Sequence, residues 1–141
     1  MRFDKDVWYR YKDGVSLYNI RYKGFDFQGT AVCHDDDLDM ESERVGLSIA
    51  EARATVKVLK YIRDNEIKTQ LKILEHLHSN MKTSKFYNPN SYEAKMLRKQ
   101  IGVIKKELAT VNNTIVDTKK FLKDYIDGKE KLYQRLRAKK K

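Results

Sequence analysis

The chain has 141 residues, of which 40% are hydrophobic and 35% charged, and a formal net charge of +10. That is one domain's worth of sequence with a modest core, so we expect a single domain and treat self-association as a live expectation from the outset. A lone cysteine, Cys33, excludes an intramolecular disulfide, and no signal peptide or apolar run of membrane-spanning length is evident, which points to a reducing cytoplasm and away from a membrane. The charge is unevenly spread: residues 1–47 carry seven Lys and Arg against ten Asp and Glu, a net of −3, and residues 48–141 carry 23 against ten, a net of +13. A basic field of that kind attracts phosphates and also keeps a protein in solution.

The first elements read as β-structure. Val7, Trp8, Tyr9 and Tyr11 precede Asp13-Gly14, and Val15, Leu17, Tyr18 and Ile20 follow it; Asp-Gly between two such runs is a hairpin signal. A second turn at Lys23-Gly24 leads to Phe25 and Phe27, and Gly29 to Cys33 reads as a further strand, giving an antiparallel sheet of three or four strands within residues 1–41.

An acidic stretch, His34 to Glu41, separates sheet from helix, and its aspartates are expected to cap the first helix; Ser48-Ile49-Ala50-Glu51 has the spacing of a capping box. Ile49, Ala52, Val56, Leu59, Ile62, Ile67, Leu71, Leu74, Leu77 and Met81 then recur at helical intervals with no glycine or proline among them, which predicts a helix over about 43–83. Residues 82–90 hold the only proline, Pro89, and break it. A new N-cap follows in Asn90-Ser91-Tyr92-Glu93, with an acid in the first turn.

The second helix, 91–139, carries Ala94, Leu97, Ile101, Ile104, Leu108, Val111 and Ile115 at steps of three and four, and the frame continues through Thr118, Leu122, Tyr125, Lys129, Leu132 and Leu136. This is a coiled-coil seam of about six heptads, weakest at Gly128 and Lys129. Two long helices joined by a short loop pack antiparallel, so the predicted class is α+β: an N-terminal antiparallel sheet followed by a coiled-coil-like two-helix hairpin. Such a hairpin leaves Val58, Tyr61, Ile73 and Val103 wet unless the sheet or a second copy covers them, which predicts a homo-oligomer, a dimer or higher. The terminal run Arg137 to Lys141 reads as a solvated tail.

Little in the sequence points to catalysis. No phosphate-binding glycine loop, Gly-x-Ser-x-Gly or His-Glu-x-x-His is present. Cys33, His34 and Asp35, Asp37 and Asp39 invite a metal, but the Cys-His pair has no second ligand pair to close a zinc site, and a calcium loop starting at Asp35 would need glycine at Met40 and glutamate at Gly46. Neither a metal nor a cofactor is expected, and the protein is read as a non-enzyme. Residues suited to anions and flat rings are more numerous. Arg53, Arg63, Arg98 and Lys99 can fork onto or attract phosphates, while Phe86 and Tyr87 beside Asn88 and Asn90 can stack on a base and read its edge.

Two stretches carry a family signal: Gly29-Thr30-Ala31-Val32-Cys33-His34-Asp35-Asp36-Asp37-Leu38-Asp39, and Gly46-Leu47-Ser48-Ile49-Ala50-Glu51-Ala52-Arg53-Ala54. Together they resemble a pattern in small proteins of phages infecting Gram-positive bacteria: a strand ending Gly-x-Ala-x-Cys, an acidic turn, a glycine, and a helix opening Ile-Ala-x-x-Arg-Ala. His34 departs from that pattern. Among such proteins the layout resembles the Thoeris anti-defence sponge family, whose members pair an N-terminal sheet with two long helices and assemble through dimers. The resemblance implies a non-catalytic protein that sequesters cyclic ADP-ribose isomers made by bacterial TIR proteins, or cyclic oligonucleotides, in the cytoplasm of the infected host. Arg53, the only basic residue inside the matching motif, is the first candidate for phosphate contact. Phe86, Asn88 and Asn90 for stacking and base reading, and Arg98 as second cation, are placed by physical argument alone. Two other functions compete: a basic nucleic-acid-binding phage protein, and an inhibitor of a host enzyme acting by protein contact.

Overall fold

The computed structural model describes the backbone of residues 6–32 and 40–139 and the side chains of 6–32 and 43–128. The order of elements is β1 (Val7–Lys12), β2 (Val15–Tyr22), β3 (Phe25–Val32), α1 (Met40–Ile62), a π-helical turn (Arg63–Ile67), α2 (Lys68–Lys82) and α3 (Tyr92–Lys139). The fold is α+β, a three-stranded antiparallel sheet followed by helices. By contact it divides into two compact units: the described residues up to Val58 together with α3 from Ile115 onward, and residues Leu59–Thr114.

In the first unit the strands lie in chain order, β1-β2-β3. Both connections are two-residue turns with positive φ at each central residue, 53° and 77° at Asp13-Gly14 and 50° and 83° at Lys23-Gly24. That is the turn whose twist matches the strands it joins, and Asp-Gly is among its preferred pairs. The run Gly29 to Val32 continues β3 from Phe25, so the sheet has three strands.

Register places Ser16 opposite Ala31, Tyr18 opposite Gly29 and Ile20 opposite Phe27, so these six share one face. It is the face that meets α1. A Cβ on Gly29 would run into the carbonyl oxygen of Ala50 and lie 2.6 Å from the backbone nitrogen of Ala54. Gly46, Ala50, Ala54 and Val58 follow one another at four-residue steps along α1 and are all buried, a narrow ridge that lets strand and helix backbones come together. Val58, expected to stay wet without a cover, is 0% exposed.

Helix α1 starts at Met40, which puts Ser48 inside it and not at its cap; the Ser48 hydroxyl donates to Arg44 O at 2.9 Å, the back-bond of a mid-helix serine. The proposed capping box is therefore not used. Whether the acidic stretch caps α1 falls outside the described residues, as do the metal reading of Cys33, His34 and Asp35 to Asp39, the seam at Lys129, Leu132 and Leu136, and the side chains of the terminal basic run. Helical structure continues from Met40 to Lys82, but through a π turn that periodicity does not report.

In the second unit the helices form an antiparallel hairpin. Arg63 Nη1 donates to Asn112 Oδ1 at 3.2 Å near one end, and Lys105 Nζ lies 4.0 Å from Glu75 Oε1 further along, so positions rise on one helix as they fall on the other. The seam is that of the heptad frame: Ala94, Leu97, Ile101 and Val111 of α3 are buried, as are Leu59, Ile62 and Ile67. Burying a side chain of Leu or Ile size contributes about 1.5–3 kcal/mol, so these few positions supply most of this unit's apolar stabilisation. Ile73 and Val103, beside the seam, are each 56% exposed.

Candidate functional site

The connector between α2 and α3 is built of turns. Thr83 N–H donates to Asn80 O, Ser84 N–H to Met81 O, Tyr87 N–H to Ser84 O and Ser91 N–H to Asn88 O. Asn88 Oδ1 accepts from the Asn90 N–H at 2.9 Å, the Asx turn that an asparagine before a proline favours. Ser91 is the N-cap of α3: its Oγ accepts from the Ala94 N–H at 3.2 Å, three residues on. Phe86 stands out of this framework at 93% exposure, stabilised by no packing of its own.

Arg98 joins the connector to the helices. Its Nη2 donates to Pro89 O at 2.5 Å, holding the carbonyl of the one proline against the first turns of α3. Arg98 also lines a groove of about 430 Å³ whose walls are Glu75, His78 and Ser79 of α2 and Ile101 and Lys105 of α3. The spacings explain the grouping. Positions 75, 78 and 79, and positions 98, 101 and 105, each fall on one helical face by the three-and-four rule, and the antiparallel hairpin sets the two faces opposite each other.

The groove is cationic but mixed. Arg98 and Lys105 each bring a positive charge, and Glu75 a negative one that lies 4.0 Å from Lys105 Nζ, with both side chains at least half exposed. At that distance and exposure the pair contributes little and is easily rearranged. His78 Nε2 is shielded from solvent and has no hydrogen-bond partner. A shielded ring nitrogen without a partner is destabilising.

Of the residues singled out in the sequence, Phe86, Asn88, Asn90 and Arg98 all belong to this second unit, on the connector and the first turns of α3. Arg53 belongs to the sheet-bearing unit, where its Nη1 donates to Thr30 O at 2.6 Å. The sequence did not single out Glu75, His78, Ser79 or Lys105 as candidates. The signal available for them was their helical phase, one step to the side of the seam. Arg63, also proposed for phosphate, is engaged at the π turn with Asp64 and Asn112.

A second groove, about 230 Å³ and more apolar, lies in the first unit between Arg44, Val45, Ser48 and Ile49 of α1 and Phe121 and Tyr125 of α3, whose rings stack at 6.2 Å. No group of three or more His, Cys, Asp or Glu placed to hold a metal occurs among the described residues, and no helix there is long and apolar enough to cross a membrane. Comparison with protein-family models, with curated proteins and with solved structures returns no match to this chain.

Proposed function

We propose that the protein is a phage anti-defence protein that binds a small cyclic nucleotide signal, a cyclic ADP-ribose isomer or a cyclic oligonucleotide, and sequesters it without degrading it. The observation that carries this reading is the placement of Arg98, which ties the Phe86-bearing connector to a groove that also holds Lys105, His78 and Ser79. A volume of about 430 Å³ suits a ligand of nucleotide size. Phosphate needs fixed cations, and a base needs an exposed ring to stack on; Arg98 and Lys105 supply the first, and Phe86 the second. Sequestration asks for affinity alone, and a homo-oligomer would close a groove that one copy leaves open. The motif at residues 29–39 and 46–54 and the sheet-then-hairpin layout support the same reading by resemblance.

The excess of basic residues after residue 47, 23 against ten acidic, favours nucleic acid as a second reading. Salt separates the two, because each phosphate neutralised along a polymer releases a counterion and steepens the salt dependence. Calorimetric titration with cyclic ADP-ribose isomers and cyclic di- and trinucleotides at low and high salt tests the proposal. Tight, modestly salt-sensitive binding with intact ligand recovered after heat denaturation is expected; absence of binding to all of them overturns it.

A further inference from the structure

The groove contains a carboxylate, and that restricts what can fill it. A bare polyanion placed between Arg98 and Lys105 would meet Glu75, whose Oε1 is 4.0 Å from Lys105 Nζ, and would have to compete with it for the same ammonium. A ligand that presents an anion to Arg98 and hydroxyl donors to Glu75 meets no such conflict: the carboxylate then accepts hydrogen bonds, the only hydrogen-bonding role open to it when ionised. The two functions are spatially ordered by the helices. Arg98 lies on α3 close to the connector, Glu75 lies on α2 a turn below Ser79 and beside Lys105, and Ile101 falls between Arg98 and Lys105 along α3.

Resting on the nucleotide-binding reading above, we propose that this groove is a ribose-phosphate subsite: Arg98 holds a phosphate, Glu75, beside Lys105, accepts from the hydroxyls of a ribose, and His78 and Ser79 complete the polar lining. The consequence is selectivity for ribonucleotides over nucleotides that lack sugar hydroxyls. A site built only of cations has no means of making that distinction, because the phosphates are the same. Replacing a hydrogen bond to a charged acceptor by nothing weakens binding by about tenfold or more.

Protein-observed NMR titration of the full chain tests this, with adenosine 5′-monophosphate, its 2′,3′-dideoxy counterpart and inorganic phosphate as probes. Adenosine monophosphate is expected to perturb amides around 75–79 and 98–105 and to bind about tenfold more tightly than the dideoxy compound. Glu75→Ala is expected to abolish that preference while leaving phosphate binding intact or stronger, Glu75→Gln to restore part of it, and Arg98→Ala to weaken all three probes. Glu75 is half exposed, so neither substitution endangers the hairpin, and circular dichroism verifies this. Equal affinity of the wild-type chain for the ribo and dideoxy compounds overturns the inference, as does a preference unchanged in Glu75→Ala. If a cyclic nucleotide still binds tightly in either case, the sequestration reading stands and only the subsite falls; if none binds, both fall.

Discussion

Arg53 donates from Nη1 to the carbonyl oxygen of Thr30 at 2.6 Å, and one turn further along α1 Lys57 donates from Nζ to Gln28 O, also at 2.6 Å. Gln28 and Thr30 are two residues apart on β3, an edge strand, so their carbonyls point to the same side. Two cations thus cover an open edge that would otherwise present unpaired acceptors to another chain. Arg53→Ala is expected to lower unfolding free energy by about 1 kcal/mol, with Arg53→Lys losing less, as read by chemical denaturation. Arg53 is also the first candidate for phosphate contact, as the only basic residue inside the matching motif, and nucleotide titration of the same variants measures that role separately: a loss of affinity larger than the loss of stability would establish it.

Between the strand and the helix there is no room for a side chain at Gly29. A Cβ there would overlap the Ala50 carbonyl and lie 2.6 Å from Ala54 N, and both obstacles are backbone, which cannot rotate away. Gly29→Ala is therefore expected to cost about 1–3 kcal/mol, seen as a lower Tm with unchanged helical signal at room temperature. Ala50→Val probes the same contact from the helix side and should behave alike, since Ala50 is 0% exposed.

These two relationships explain why the sequence was legible where it was. The Gly-x-Ala strand end and the Ile-Ala-x-x-Arg-Ala helix opening contain Gly29, Ala50, Arg53 and Ala54, residues that dock a strand on a helix; their pattern encodes packing, and in this chain it accounts for a structural joint before any ligand. Turns at Asp13-Gly14 and Lys23-Gly24, the seam from Ala94 to Val111 and the cap at Ser91 were equally readable, because each depends on residues near in sequence. The π turn at Arg63–Ile67 was not, since it changes helical phase without changing composition. Nor was the lining of the groove: a helix wheel places Glu75, His78 and Lys105 beside the seam, but they become neighbours only once the hairpin closes.

Phe86 offers the cleanest separation of binding from folding. At 93% exposure its ring contributes almost nothing to the folded state, so Phe86→Ala should leave Tm within about 1 °C of the parent. If the ring stacks on a base, the same substitution should weaken nucleotide binding by about tenfold, the lower part of the range for one base on one aromatic. Isothermal titration beside a melting curve reads both quantities on one sample.

At the π turn, Asp64 has its carboxyl held below its usual value, chiefly by the hydrogen bond from Arg63, which outweighs the opposing effect of desolvation, with a lesser contribution from Lys68 at 3.3 Å. A depressed folded-state value means that the carboxylate stabilises the fold above the unfolded pKa near 3.9 and that this contribution disappears as pH falls through the folded value. Because Asp64 is about half exposed, the effect is limited to the few tenths of a kcal/mol of a surface pair. Asp64→Asn should accordingly leave stability at pH 7 almost unchanged and flatten its decline below about pH 4 by a small amount, measured by urea denaturation across that range.

Two valines eight positions apart on α3 test the hairpin and its surroundings together. Val111 is 5% exposed in the seam and Val103 is 56% exposed beside it. Val111→Asp places a charge where no partner can reach it and should remove more than about 3 kcal/mol, enough to unfold residues 59–114 at ambient temperature. Val103→Asp should change the stability of an isolated chain by less than about 0.5 kcal/mol. If Val103 lies in a contact between copies, however, the aspartate would be buried there, and the species seen by size-exclusion chromatography with light scattering would shift toward monomer while the helical signal is retained. A variant with unchanged mass and unchanged stability would place any self-association on another face, the stacked Phe121 and Tyr125 being the next apolar surface to probe.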